Sequence, residues 1–140
     1  MSKHQQTGMR GVYLVAAELA ARNLIVSPTS RSAAGADLLV TDERCANAYS
    51  VQVKTNARSS TFWLVGAKAI ELSARSHVYV FVNILREEGK YEFFVVPSTY
   101  VARNVRVYER PNSTWYAFDR RVAEKYRSKW ALLGAKENEG

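Results

Sequence analysis

A single cysteine, Cys45, stands in the whole chain, which rules out an internal disulfide and fits a reducing compartment. Cys45 lies on a polar turn beside Asp42 and Glu43, with only Arg44 nearby to activate a thiol. Histidine is almost as scarce: His4 and His77 have no Cys or His partner at metal-ligand spacing, so a zinc-type cluster has no support. Long apolar runs are missing too, and the longest, such as His77 to Leu85, falls far short of the ~20 residues that a bilayer requires. Residues 1–10 are polar, and the apolar stretch after them contains Glu18 and Arg22. That is a poor signal peptide, so a cytoplasmic protein with no membrane partner is expected. There is neither a Gly-x-Ser-x-Gly elbow nor a glycine-rich phosphate loop, because Gly8 to Gly11 is too short to cradle a phosphate.

What is present points to one domain. The chain has 140 residues, 47% of them hydrophobic and 11% aromatic, enough to bury a single core. Its net charge of +7 makes nucleic acid the leading partner class, since a basic surface concentrates polyanions. The charge is uneven: between Arg103 and Lys129 eight basic residues face three acidic ones, a local +5. Within that segment Arg120 and Arg121, with Arg58 earlier in the chain, are candidates for contact with a nucleic-acid backbone. The alternative is a solvated helix face laced by i, i+4 pairs. Trp63, Trp115, Tyr116 and Trp130 could stack on bases or could equally serve as core or interface.

Periodicity sets out the elements. Val12, Val15, Ala16 and Leu19 recur at helical spacing, predicting a helix over 11–22 with Thr7 as N-cap and Asn23 as a left-handed stop. Leu24 to Val26 reads as a short strand, and Thr29 to Gly35 as a Ser/Ala/Gly loop. A buried strand opens on Asp37, and after a polar turn the segment Tyr49 to Thr55 alternates strictly, so the two form a hairpin. Phe62 to Ser73 reads as a loop leading into a short helix, His77 to Leu85 as a central strand and Tyr91 to Val96 as the next. Ser98 is expected to cap a short helix, Thr114 to Phe118 to form a strand, and Asp119 to cap a helix running to about Lys129. Trp130 to Gly134 should dock as an apolar tail, with 135–140 frayed. A helix ahead of a hairpin-containing sheet argues for a mixed α/β sandwich rather than a doubly wound parallel sheet.

The informative constellation is Asp37, fourteen residues, then Gln52-Val53-Lys54. Phosphodiester hydrolysis needs oxygen ligands that hold a divalent cation against a phosphate oxygen, and a side-chain cation that steadies the nucleophile or the transition state. Gln52 and Lys54 share one face of a strand, the Val53 carbonyl between them is a further oxygen, and Asp37 arrives from the adjacent strand. Taken singly these residues also fit a solvated strand face, with Asp37 capping the loop at 33–35. Ser30 and Arg31 could reach phosphates beside Asp37, or form no more than a flexible loop.

The run from Gly11 to Asn23, then Leu24 to Pro28, Gly35-Ala-Asp37-Leu-Leu-Val and Val51-Gln-Val-Lys54-Thr resembles the core of the PD-(D/E)xK nuclease superfamily. It is similar in flavour to small archaeal Holliday-junction resolvases, to group I intron homing endonucleases of this fold and to uncharacterised bacterial relatives. The resemblance implies a restriction-endonuclease-like core (α-β-β-β-α-β), a mixed sheet flanked by helices, over about residues 8–97 of one domain, with a basic extension over 98–134. It implies a metal-dependent DNA endonuclease with Asp37, Gln52 and Lys54 as catalytic residues. Asp37, Gln52 and the Val53 carbonyl would bind Mg2+ or Mn2+, and a homodimer would reach both strands.

Three departures bear on this. Ala36 stands where the motif has Pro, Gln52 replaces its acidic residue, and the first-helix carboxylate of many relatives falls on Val12, eleven residues before Asn23. Glu18 is a weak substitute, turned about 240° from Val12 on a helix. A catalytically weak or inactive relative, binding nucleic acid or a protein through the same fold, is the alternative.

Overall fold

Ser2 and Gln5 start the first helix by bonding each other's backbone: Ser2 Oγ accepts from the Gln5 amide at 3.2 Å and Gln5 Oε1 from the Ser2 amide at 3.0 Å. The computed structural model describes residues 2–30 and 35–136. In it α1 spans Lys3–Ala21, so Ser2 rather than Thr7 is the cap, and the helix starts well before the apolar face becomes periodic. Asn23 ends it at φ 63°, the left-handed stop expected from its side chain.

A five-stranded mixed sheet follows. Strands β1 (Ile25–Pro28), β2 (Leu38–Thr41), β3 (Ala48–Asn56), β5 (His77–Ile84) and β6 (Tyr91–Pro97) lie in the order β1-β2-β3-β5-β6. Only β3 and β5 run parallel; the other neighbours are antiparallel, including the β2–β3 hairpin. All eight residues of β5 are buried, as its unbroken apolar run requires of a strand covered on both faces. Between β3 and β5 come β4 (Phe62–Val65) and the short α2 (Lys68–Glu71). After β6 come α3 (Ser98–Asn104), β7 (Arg106–Arg110), β8 (Ser113–Asp119) and α4 (Arg120–Ala123), and β4-β8-β7 form a second, antiparallel sheet.

Alternation along the strands makes two cores. Val51, Val53, Val78, Val80 and Val82 face Val15 and Leu19 of α1, where Trp130 and Leu133 also dock. Tyr79, Phe81 and Phe94 face the other way, against Trp63 of β4, Phe118 of β8 and Val101 of α3. Trp63 Nε1 donates to the Val82 carbonyl at 2.9 Å, satisfying the one polar atom of a ring that is 1% exposed. Among the described residues no helix is long and apolar enough to cross a membrane.

Several local expectations give way. β4 occupies a stretch read as loop and β7 one to which the sequence assigns no element, because β4 is four residues long and β7 is exposed throughout, so neither carries a strong period. Ser98 does not cap α3 with its side chain; its hydroxyl accepts from the Ala74 amide at 3.0 Å and donates to the Ala74 carbonyl at 2.9 Å. Asp119 accepts from Arg106 at 2.7 Å instead of capping. The helix beyond it is four residues long and passes into a 3-10 turn, because Arg127 pairs with Phe94 and the Ser128 amide donates to the Phe93 carbonyl. Closing that edge of β6 takes precedence over a longer helix.

Candidate active site

The hairpin of β2 and β3 comes apart at Asp37. Leu38 is the last residue of β2 in register, opposite Val51, while β3 runs on to Asn56, so its outer edge is left without a strand. Asp37 takes over there. Its amide donates to the Val51 carbonyl at 2.7 Å, and its carboxylate Oδ2 accepts from the Val53 amide at 2.7 Å and from Gln52 Nε2 at 3.1 Å. A carboxylate thus stands in for the missing ladder partner. Since N–H and C=O of one strand residue point to the same side, the Val53 carbonyl also faces this open edge.

Thr29 is bonded to the approach to the fork: its amide donates to the Asp37 carbonyl at 2.9 Å and its hydroxyl to the Ala36 carbonyl at 2.6 Å. An open cleft of about 320 Å³ lies here, bounded by Thr29 and Ser30, by Asp37, Gln52 and Val53, and by the face of α1 that carries Val12. Asp37, Gln52 and Lys54 are each half-buried. Gln52 and Lys54 stand beside Tyr79 and Phe81 across the parallel pair, on the face of the main sheet that the second sheet covers. Lys54 is not among the residues that border the cleft, and no hydrogen bond or ion pair ties its side chain among the described residues.

Not every expected residue joins this group. Glu18 is bound to Arg22 at 2.6 Å on the same helix and lies outside the cleft, whereas Val12 lines it. Arg31 lies outside the described residues. Arg58 is exposed on the connection from β3 to β4. Arg121 is exposed, but Arg120 is committed: it bonds Glu92, with Glu124 at 3.5 Å as a second partner. Glu92 in turn accepts from Arg127 at 2.8 Å and from Asn83 at 3.2 Å. The Arg120 guanidinium foremost, against the opposing cost of burial, pulls the Glu92 carboxyl down to about 2. Gln5 and Tyr13 also border the cleft and went unnoticed in the sequence. The Ser2-x-x-Gln5 capping pattern was the signal that would have extended α1 far enough to bring Gln5 in.

The donor set suits a hard divalent cation of modest affinity. It offers one carboxylate, one backbone carbonyl and one amide, all able to present oxygen, with water completing the shell. Two features weaken it. Gln52 presents its amide nitrogen to Asp37, so its oxygen reaches the cleft only after the amide turns over, and Val12 contributes no ligand. No group of three or more His, Cys, Asp or Glu side chains gathers at metal distance among the described residues.

This helix and mixed sheet make up a fold already seen in solved structures. Two solved structures share it: the Holliday junction resolvase Hjc of the archaeal hyperthermophile Archaeoglobus fulgidus, and the bacterial homing endonuclease I-Ssp6803I. The resolvase superposes with a TM-score of 0.59 at 13% identity, covering 92% of this chain and 97% of its own. The homing endonuclease superposes with a TM-score of 0.60 at 15% identity, covering 95% of this chain and 92% of its own. No protein-family model and no curated protein matches the chain.

Proposed function

We propose that the chain is a metal-dependent DNA endonuclease that hydrolyses phosphodiester bonds at the Asp37–Gln52–Lys54 site. The observation that carries this reading is the fork, where Asp37 bonds the Val53 amide and Gln52 while Lys54 projects two residues further along the same strand face. Asp37, the Val53 carbonyl and the Gln52 amide oxygen would hold Mg2+ or Mn2+, which when bound would offset charge on a phosphate oxygen. Lys54 would orient the attacking water and counter the negative charge that builds on the phosphorus oxygens. Asp37 keeps its position through the Val53 amide, so Lys54 of β3 and the carboxylate just before β2 would address one phosphate together. Exposed cations such as Arg58 and Arg121 would contact the backbone of DNA without reading its sequence.

Supercoiled, linear and branched DNA incubated with Mn2+ or Mg2+ tests the reading. Wild type should cut at least one of them, EDTA should stop it, and Asp37→Asn should not cut. Activity undiminished in Asp37→Asn would remove the site.

One observation favours a second reading, a nuclease fold that binds DNA without cutting it: Val12 lines the cleft where a helix carboxylate would add a ligand. The two readings part on Val12→Glu. An endonuclease short of one ligand should cut faster, by about tenfold or more, and a binding module should remain silent.

A further inference from the structure

The second sheet has an inner face, packed on the main sheet, and an outer face that nothing among the described residues covers. Strand alternation puts Phe62, Leu64, Tyr108, Trp115, Arg106 and Arg110 on the outer face, around a groove of about 530 Å³. The four large apolar side chains there are 40–48% exposed. Tyr108 and Trp115 stand directly opposite each other across β7 and β8. The indole is anchored by a 2.9 Å bond from Nε1 to Ser113 Oγ, and Arg106 lies over the Tyr108 ring at 5.1 Å.

We propose that this face is a stacking platform for an unpaired stretch of single-stranded DNA. The inference rests on the endonuclease reading for its choice of DNA. Flat aromatic rings beside the guanidinium of Arg110, with Arg106 paired to Asp119, match the two components of a single strand, base faces and phosphates. A duplex keeps its base faces stacked and would present only phosphates and groove edges to Tyr108 and Trp115. Arg110 forms no ion pair among the described residues, while the carboxylate at the border, Asp119, is already bound to Arg106. Charge therefore favours a polyanion over self-association. The second sheet is tied to β3 near the candidate active site: the Phe62 carbonyl accepts from Asn56 Nδ2 at 2.9 Å, and Asn56 lies two residues beyond Lys54.

The three tryptophans allow a direct test, because Trp63 and Trp130 are buried and Trp115 is 48% exposed. Oligothymidylate titrated into the protein in EDTA should quench the Trp115 emission, and Trp115→Phe should lose the quench while retaining binding by anisotropy. The double variant Tyr108→Ala, Trp115→Ala should bind about tenfold more weakly or worse. Arg110→Ala should lower the slope of log affinity against log salt by about 0.7. All these side chains are exposed, so unchanged melting of each variant checks that folding is intact. The proposal is overturned if wild type shows no quench, if the double variant binds as wild type does, or if duplex competes as well as the single strand. It is overturned equally if the double variant loses self-association and nothing else. Because binding is read without metal, a protein that quenches and never cuts would sink the endonuclease reading and leave the platform standing.

Discussion

Glu92 and Gln52 show how far a residue's role depends on partners distant in sequence. Glu92, 8% exposed, holds Arg120 and Arg127 from a stretch about thirty residues downstream, and both guanidinium groups also lie over the Phe94 ring. A carboxyl depressed to about 2 contributes stability that is complete above the ordinary glutamate range near 4.5 and is lost as pH falls toward 2. Glu92→Gln should therefore cost about 3 kcal/mol at pH 7 by leaving two arginines without their carboxylate. In urea melts its penalty should shrink between pH 4.5 and 2, and a penalty independent of pH would show that the charge is not what stabilises. Gln52 has the opposite problem, a neutral amide where a cation would prefer a carboxylate. Gln52→Glu should tighten Mn2+ binding in calorimetry by about tenfold, or ~1.4 kcal/mol. Without metal it sets a second carboxylate against Asp37, so its melting temperature should fall in EDTA and recover with Mn2+. Unchanged affinity would count against Gln52 as a ligand.

Among the elements, α1 and β3 meet through a glycine. A Cβ on Gly11 would lie 1.7 Å from Thr55 Oγ1 and 2.8 Å from Thr55 Cβ, so only glycine permits this approach of helix to strand. Among the described residues Thr55 Oγ1 has no hydrogen-bond partner, so the contact is steric rather than polar. Gly11→Ala should cost about 1–3 kcal/mol by urea unfolding as α1 shifts. Thr55→Ala in the same chain should recover part of that loss, and strict additivity of the two would show that they do not touch. The same helix carries Val12 to the cleft, so a displaced α1 alters the site as well as the core.

Elements with a strong local pattern were legible in the sequence. The apolar run of β5, the alternation of β3, the left-handed stop at Asn23 and the meeting of Asp37 with Gln52 all follow from short-range signals. β4 and β7 were not legible, because their residues acquire an inside only once β8 lies between them. The last helix was misjudged because Arg127 and Ser128 bond β6, a contact that no helical periodicity encodes. Arg120 read as a free cation for the same reason: its partner, Glu92, is 28 residues away.

On the scale of the whole molecule, the positive charge divides into two populations. Arg106, Arg120 and Arg127 are held by Asp119, Glu92 and Glu124 and serve the fold. Among the described residues Lys54, Arg58 and Arg110 form no ion pair, which leaves their charge for a polyanion. The account stands or falls on whether Lys54 does chemistry. Single-turnover cleavage of DNA with Mn2+, measured for wild type and Lys54→Ala at matched melting temperature and matched DNA affinity, decides it most directly. A loss of about 100-fold or more in the variant's rate is expected when a positioned transition-state cation is removed. Equal rates in the two proteins, or no cleavage by either, would contradict it.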